Sequence, residues 1–249
     1  MKFNLTLFSE KPGKVYILAA MSYVAICLSS CKHDDEVIIP NQAAFSVTNA
    51  SPTRPSVDFY LDNQKVNNST VGSSTALNYG NSTGYWLAVT GTRTGKVTVS
   101  GNTTSILTQK IDLENDRYHS IFIVNSADTL SFLRIRDDWS ASTPDGKAQV
   151  RFINLSPDAP AYSLEYSGDT TAFTNRAYKE YTGFKPVTAK TGITLNLRNT
   201  ATNEIVSTLT DVKLDSKEIY TVWARGLVSA QPADTAKRIK ITRLIRNFR

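Results

Sequence analysis

From Ala43 onward apolar and polar residues alternate in short runs. Phe45 and Val47 stand among polar neighbours, and Val150 and Phe152 do the same about a hundred residues later. Alternation resumes at Val57, Phe59 and Leu61, and again at Tyr162, Leu164 and Tyr166. A period of two places alternate side chains on one face, so each run predicts a strand with one buried face. Further runs at about 75–79, 84–90, 95–100, 105–111, 118–124 and 129–136 are separated by Gly, Asn, Ser or Asp and have counterparts downstream. No segment carries an amphipathic helical period of useful length. Around seven short strands per 100 residues predict an all-β chain of antiparallel two-layer sandwiches, immunoglobulin-like or transthyretin-like.

The runs also repeat. At an offset of 105, Ala43, Asn49, Ser51, Pro52 and Pro55 meet Ala148, Asn154, Ser156, Pro157 and Pro160. With small gaps, Thr83-Gly84-Tyr85 meets Thr182-Gly183-Phe184, Tyr118 meets Tyr220, and the run from Leu130 meets that from Ile239. The shared N-x-S-P-x-x-P pattern is read as a structured crossing between strands: Asn and Ser side chains bond nearby backbone, and proline removes a ladder donor. The expected organisation is a sandwich over 43–140, a linker over 141–147 and a second sandwich over 148–249.

The two openings, the T-G-aromatic strand and the late tyrosine strand resemble the bacterial domain-of-unknown-function family 4397. The likeness is close in NLSPDAP, residues 154–160, and weaker in NASPTRP, residues 49–55, where Thr53-Arg54 replaces Asp-Ala. It implies a secreted or anchored β-domain and supplies no catalytic motif.

The N-terminus gives an address. Lys2, Lys11 and Lys14 flank an uncharged stretch from Val15 to Leu28. That stretch is shorter than the roughly 20 apolar residues of a membrane-spanning helix. A basic flank, a short apolar core and small residues at its end describe a secretory signal peptide over 1–30. Leu28-Ser29-Ser30-Cys31 resembles the bacterial lipobox, which implies cleavage before Cys31 and lipidation of its sulfur. Residues 31–42 then form a lipidated polar tether. Lys32, Asp34, Asp35 and Glu36 look like the export signal that carries Bacteroidota lipoproteins to the outer leaflet. With Cys27 lost in the signal, no free thiol is left for a disulfide, a metal or a nucleophile.

Charge changes this picture little. The chain carries +6. Residues 1–30 hold three lysines and one glutamate, which leaves +4 beyond them. Six basic residues and no acid fall in 237–249, so the remainder is slightly acidic and gives no nucleic-acid footprint. The C-terminal cluster reads as a charged edge strand or a contact for acidic surface polymers.

Candidate chemistry is sparse. Outside the tether the only histidine is His119, on an expected strand without a Ser-His-Asp context. Asp112, Glu114 and Asp116 alternate as calcium ligands would, but Lys213, Asp215 and Lys217 stand in the second copy, so a turn is the better reading. No metal or cofactor is expected. Trp86 aligns with Lys185 and is expected to face solvent, as a stacking surface for a sugar or a partner; Tyr85, aligned with Phe184, is expected in the core. Thr129, Thr170 and Thr235 each follow an Asp and resemble Bacteroidota O-glycosylation acceptors. The expected protein is therefore a non-catalytic, lipid-anchored outer-membrane lipoprotein at the cell surface, its partners the membrane and a surface glycan or envelope protein. A purely structural envelope component and a hydrolase with an unrecognised site are the alternatives.

Overall fold

A computed structural model describes residues 41–67, 76–126, 129–138, 142–166 and 169–247. Its elements are all strands: β1 (Gln42–Asn49), β2 (Ser56–Leu61), β3 (Gln64–Lys65), β4 (Leu77–Asn78), β5 (Trp86–Val89), β6 (Gly91–Val99), β7 (Ser105–Leu113), β8 (Tyr118–Ser126), β9 (Thr129–Asp137), β10 (Lys147–Asn154), β11 (Tyr162–Tyr166), β12 (Asp169–Arg176), β13 (Lys185–Thr188), β14 (Ile193–Asn199), β15 (Ile205–Val212), β16 (Ile219–Arg225) and β17 (Lys240–Asn247). The all-β expectation holds. The first half has an inner sheet in the order β5-β1-β8-β9 and an outer sheet β3-β2-β6-β7 with β4 also on β2. The second half repeats the plan with β13-β10-β16-β17 and β12-β11-β14-β15. One pairing in each half departs from the antiparallel expectation: β1 runs parallel to β8, and β10 parallel to β16.

Each sandwich encloses the alternating apolar set. Phe45, Val47, Phe59, Val97, Ile121 and Ile123 fill the first; Val150, Phe152, Leu164, Phe173, Leu195 and Val222 fill the second. The N-x-S-P motif makes the crossing from inner to outer sheet. Asn49 and Asn154 are fully buried. Asn49 donates its amide to the carbonyls of Arg54 and Leu77 and accepts from the Ser51 N–H. Asn154 serves Pro160, Arg176 and Ser156 in the same way. One side chain thereby satisfies backbone groups that the bend takes out of the ladder.

The polar half of the alternation is buried too. Seven of the eight residues of β1, and seven of the eight of β10, are buried. The two inner sheets pack their second faces together, giving four layers in sequence: outer, inner, inner, outer. Ala50, Phe122, Val124 and Ile135 meet Ile153, Leu155 and Trp223 in a third apolar cluster. The rings of Phe122 and Trp223 lie 6.3 Å apart. From Pro40 to Arg249 the chain is one compact unit.

This register corrects one alignment. β1 sets Phe45 beside His119, and β10 sets Val150 beside Tyr220, so His119 and not Tyr118 matches Tyr220. Their hydrogen bonds agree. His119 Nε2 accepts from the Glu114 N–H (3.0 Å), and the Tyr220 hydroxyl accepts from the Asp215 N–H (2.9 Å). Phe122 then matches Trp223, and the two equivalent residues touch across the centre of the stack.

Candidate functional site

The halves differ most after β8 and β16. β8 and β9 pair in register as far as Ser126↔Thr129, whereas residues 226–239 make a long loop between β16 and β17. Gly226 starts it at φ +104°, where an added Cβ would collide with the Arg238 carbonyl. Only glycine meets both conditions cheaply. Leu227 donates its N–H to the Lys237 carbonyl (2.7 Å) and closes the base. The sequence motif holds that base: Ser156 Oγ donates to the Gly226 carbonyl (2.8 Å). Asp158 accepts from the N–H groups of Val228 (2.8 Å) and Ser229 (2.9 Å).

Between this loop and the sandwich lies a cavity of about 490 Å³, within the range of small-molecule sites. Leu227, Ala230, Pro232 and Ile239 give it an apolar wall; Arg238 and Lys240 line it as cations, and Tyr162 reaches it from β11. The Tyr162 ring is 1 % exposed and packs in the sandwich core, but its hydroxyl bonds to no described residue. Burial, followed by the charge of Asp158, pushes its pKa up to about 12, so it stays a donor. Burial by itself would raise the Asp158 carboxyl; the bonds from Ser229 and Val228 outweigh it and hold the group below its usual range, hence ionised. Neither Arg238 nor Lys240 has a carboxylate partner among the described residues, whereas Lys237 in the same loop pairs with Asp234 at 2.8 Å.

A second cleft, about 410 Å³, opens at the junction of the halves beside Arg136, Arg151, Tyr181 and Phe184. Its ionic groups are engaged. Arg151 and Asp137, each 2 % exposed, form an ion pair at 2.6 Å. Arg151 also donates to Thr221 Oγ1 and Ser120 Oγ, and Tyr85 donates to Asp137 at 2.7 Å. The Phe184 ring covers the guanidinium at 4.8 Å. Arg136 pairs with Glu114. This is a fastening between sheets.

The family model of DUF4397, a domain of unknown function, matches residues 43–165. The match takes in the first sandwich, β10 and most of β11. No curated protein matches the chain.

Within residues 43–165 the structure relocates the residues that the sequence singled out. Trp86 is half-buried against the first core and not solvent-facing. It stands opposite Phe45 in the β1–β5 register, and paired residues share a face. Leu87, 69 % exposed, takes the outward place instead. Tyr85 belongs to the fastening and not to the sandwich core, again because the register turns it to the other face of the inner sheet.

His119 is buried, with Nε2 occupied by the Glu114 amide. Burial, then the Arg134 charge, lowers its pKa. Among the described residues no serine is hydrogen-bonded to it. Asp112, Glu114 and Asp116 do not converge: Asp112 accepts from Thr92, Glu114 pairs with Arg134 and Arg136, and Asp116 sits in a turn at φ 54°. Among the described residues no His, Cys, Asp and Glu side chains group as a metal site.

Thr129, inside the family match, and Thr235, in the loop over the cavity, are exposed; Thr170 lies on β12. Cys31, Lys32, Asp34, Asp35 and Glu36 lie outside the described residues. Sequence reasoning missed the cavity. Its one signal was the extra length between Tyr220 and Ile239 relative to Tyr118 and Leu130, which alignment treats as a gap.

Proposed function

We propose that this chain is a non-catalytic binding module held to the outer surface of a bacterial envelope by lipid at Cys31, with a second, diverged DUF4397 domain over 148–249. The lipobox-like Leu28-Ser29-Ser30-Cys31 and the acidic tether, both resembling Bacteroidota lipoprotein signals, support the address. Repetition of strand order and parallel register supports the second domain. One observation carries the binding role: the loop-roofed cavity in the second half presents unpaired cations and an unpartnered hydroxyl. The partner is a surface glycan or an envelope component. Two measurements test the reading together. Metabolic labelling with an alkynyl fatty acid is expected to mark the wild type and leave Cys31→Ser unlabelled. Immobilised full-length protein is expected to retain a specific envelope ligand or glycan and to release it when the 226–239 loop is shortened. Retention of nothing by the labelled protein overturns the binding role.

A further inference from the structure

Among the described residues this cavity is built by the second half. Three independent differences coincide there. Two residues separate β8 from β9 in the first half, and the 226–239 loop separates β16 from β17 in the second. Thr53 is replaced by Asp158, which ties that loop down. The pairing Phe59↔Val97 in one half and Leu164↔Leu197 in the other makes Val57 the counterpart of Tyr162. Val57 is fully buried in the first core, and Tyr162 is buried in the second but adds a hydroxyl. It brings a polar atom to the cavity through a side chain that is otherwise buried.

The Tyr162 hydroxyl has no protein partner among the described residues, and Tyr162 lines a cavity wide enough for a ligand, so its donor is available to one. Arg238 and Lys240 bring two positive charges to the same space, and Asp158, whose charge reaches the Tyr162 hydroxyl, offsets one. The balance suits a single negative charge better than a dianion. The rest of the wall is Leu227, Ala230, Pro232 and Ile239, which favours a partly apolar body.

Building on the binding role proposed above, we infer that the cavity takes a small organic monoanion, a carboxylate on a partly apolar frame. Arg238 and Lys240 meet the carboxylate, Tyr162 donates the orienting hydrogen bond, and the 226–239 loop covers the body. Carboxylates of this kind come from acidic sugars or from short aliphatic acids. Calorimetric titration of the full-length protein with galacturonate and with hexanoate separates the two sources.

One of the two is expected to saturate a single site, with its neutral methyl ester failing to bind. Arg238→Gln and Lys240→Gln are each expected to weaken binding about tenfold, as loss of a charge-assisted contact does. Tyr162→Phe is expected to weaken it about fivefold with the unfolding midpoint unchanged, because only the hydroxyl leaves. Arg136→Gln, in the other cleft, is expected to change nothing. The inference is overturned if neither acid saturates by roughly 10 mM, or if saturation is indifferent to Arg238 and Lys240. Failure here with envelope capture intact removes this ligand class and leaves the binding role; loss of capture with carboxylate binding intact does the reverse.

Discussion

Arg151 is written in the sequence as the polar member of an alternating strand, which ordinarily means solvent. In the fold its guanidinium lies between two sheets against Asp137. Breaking such a pair leaves a buried charge unmatched, so Asp137→Ala is expected to cost about 3–5 kcal/mol in urea unfolding at neutral pH. Exchanging both residues for apolar ones of similar volume is expected to restore most of it. His119 supplies a pH effect. Its folded pKa lies below the ordinary 6.5, so the unfolded chain takes up a proton first. Its contribution is fully present above 6.5 and is lost as pH falls toward the folded value. His119→Gln, which keeps an acceptor for the Glu114 amide, is expected to flatten that slope in unfolding midpoints measured from pH 7.5 to 5. The residue types were legible in the sequence; their surroundings were not, because partners such as Asp137 and Arg151 sit in different halves.

At the scale of the element, the N-x-S-P crossing was the most legible feature. Asn and Ser were expected to bond local backbone, and Asn49 and Asn154 do so at matching places. Asn154→Ala would orphan the carbonyls of Pro160 and Arg176 and is expected to cost about 1–3 kcal/mol by chemical denaturation. Trp86 shows the opposite case. Alternation within a strand sets which residues share a face, but the face itself is chosen by pairing with β1. The 226–239 loop depends on Gly226. Gly226→Ala is expected to lower thermal stability by at least about 1 kcal/mol and to raise amide exchange at Leu227 and Val228. A loop closed by backbone bonds leaves little trace in hydrophobic periodicity.

At the scale of the molecule the two sandwiches share an apolar interface, and this decides how they unfold. Calorimetry is expected to show one cooperative transition, since separating the halves uncovers Phe122, Ile135, Ile153 and Trp223 together. Trp223→Ala is expected to destabilise by about 3–5 kcal/mol and to split the transition in two. The expected linker between two sandwiches followed from the repeat alone. Yet a repeat says only that two units are alike, and nothing about the faces they present to each other. Here each inner sheet buries both faces, and the polar residues at its second face are consumed by Arg151, Asp137, Ser120 and Thr221.

The sequence by itself determined the strands, the repeated plan, the crossing motif and the β-sheet class, because period, turn chemistry and duplication are local properties of a chain. Only the tertiary structure decided that β1 lies parallel to β8, that Trp86 points inward, that the halves are fastened by a buried ion pair, and that a cavity lined by cations without carboxylate partners among the described residues lies in the second half. Those outcomes depend on which distant groups are brought within a few ångströms, and pairwise Coulomb and packing energies act over just that range.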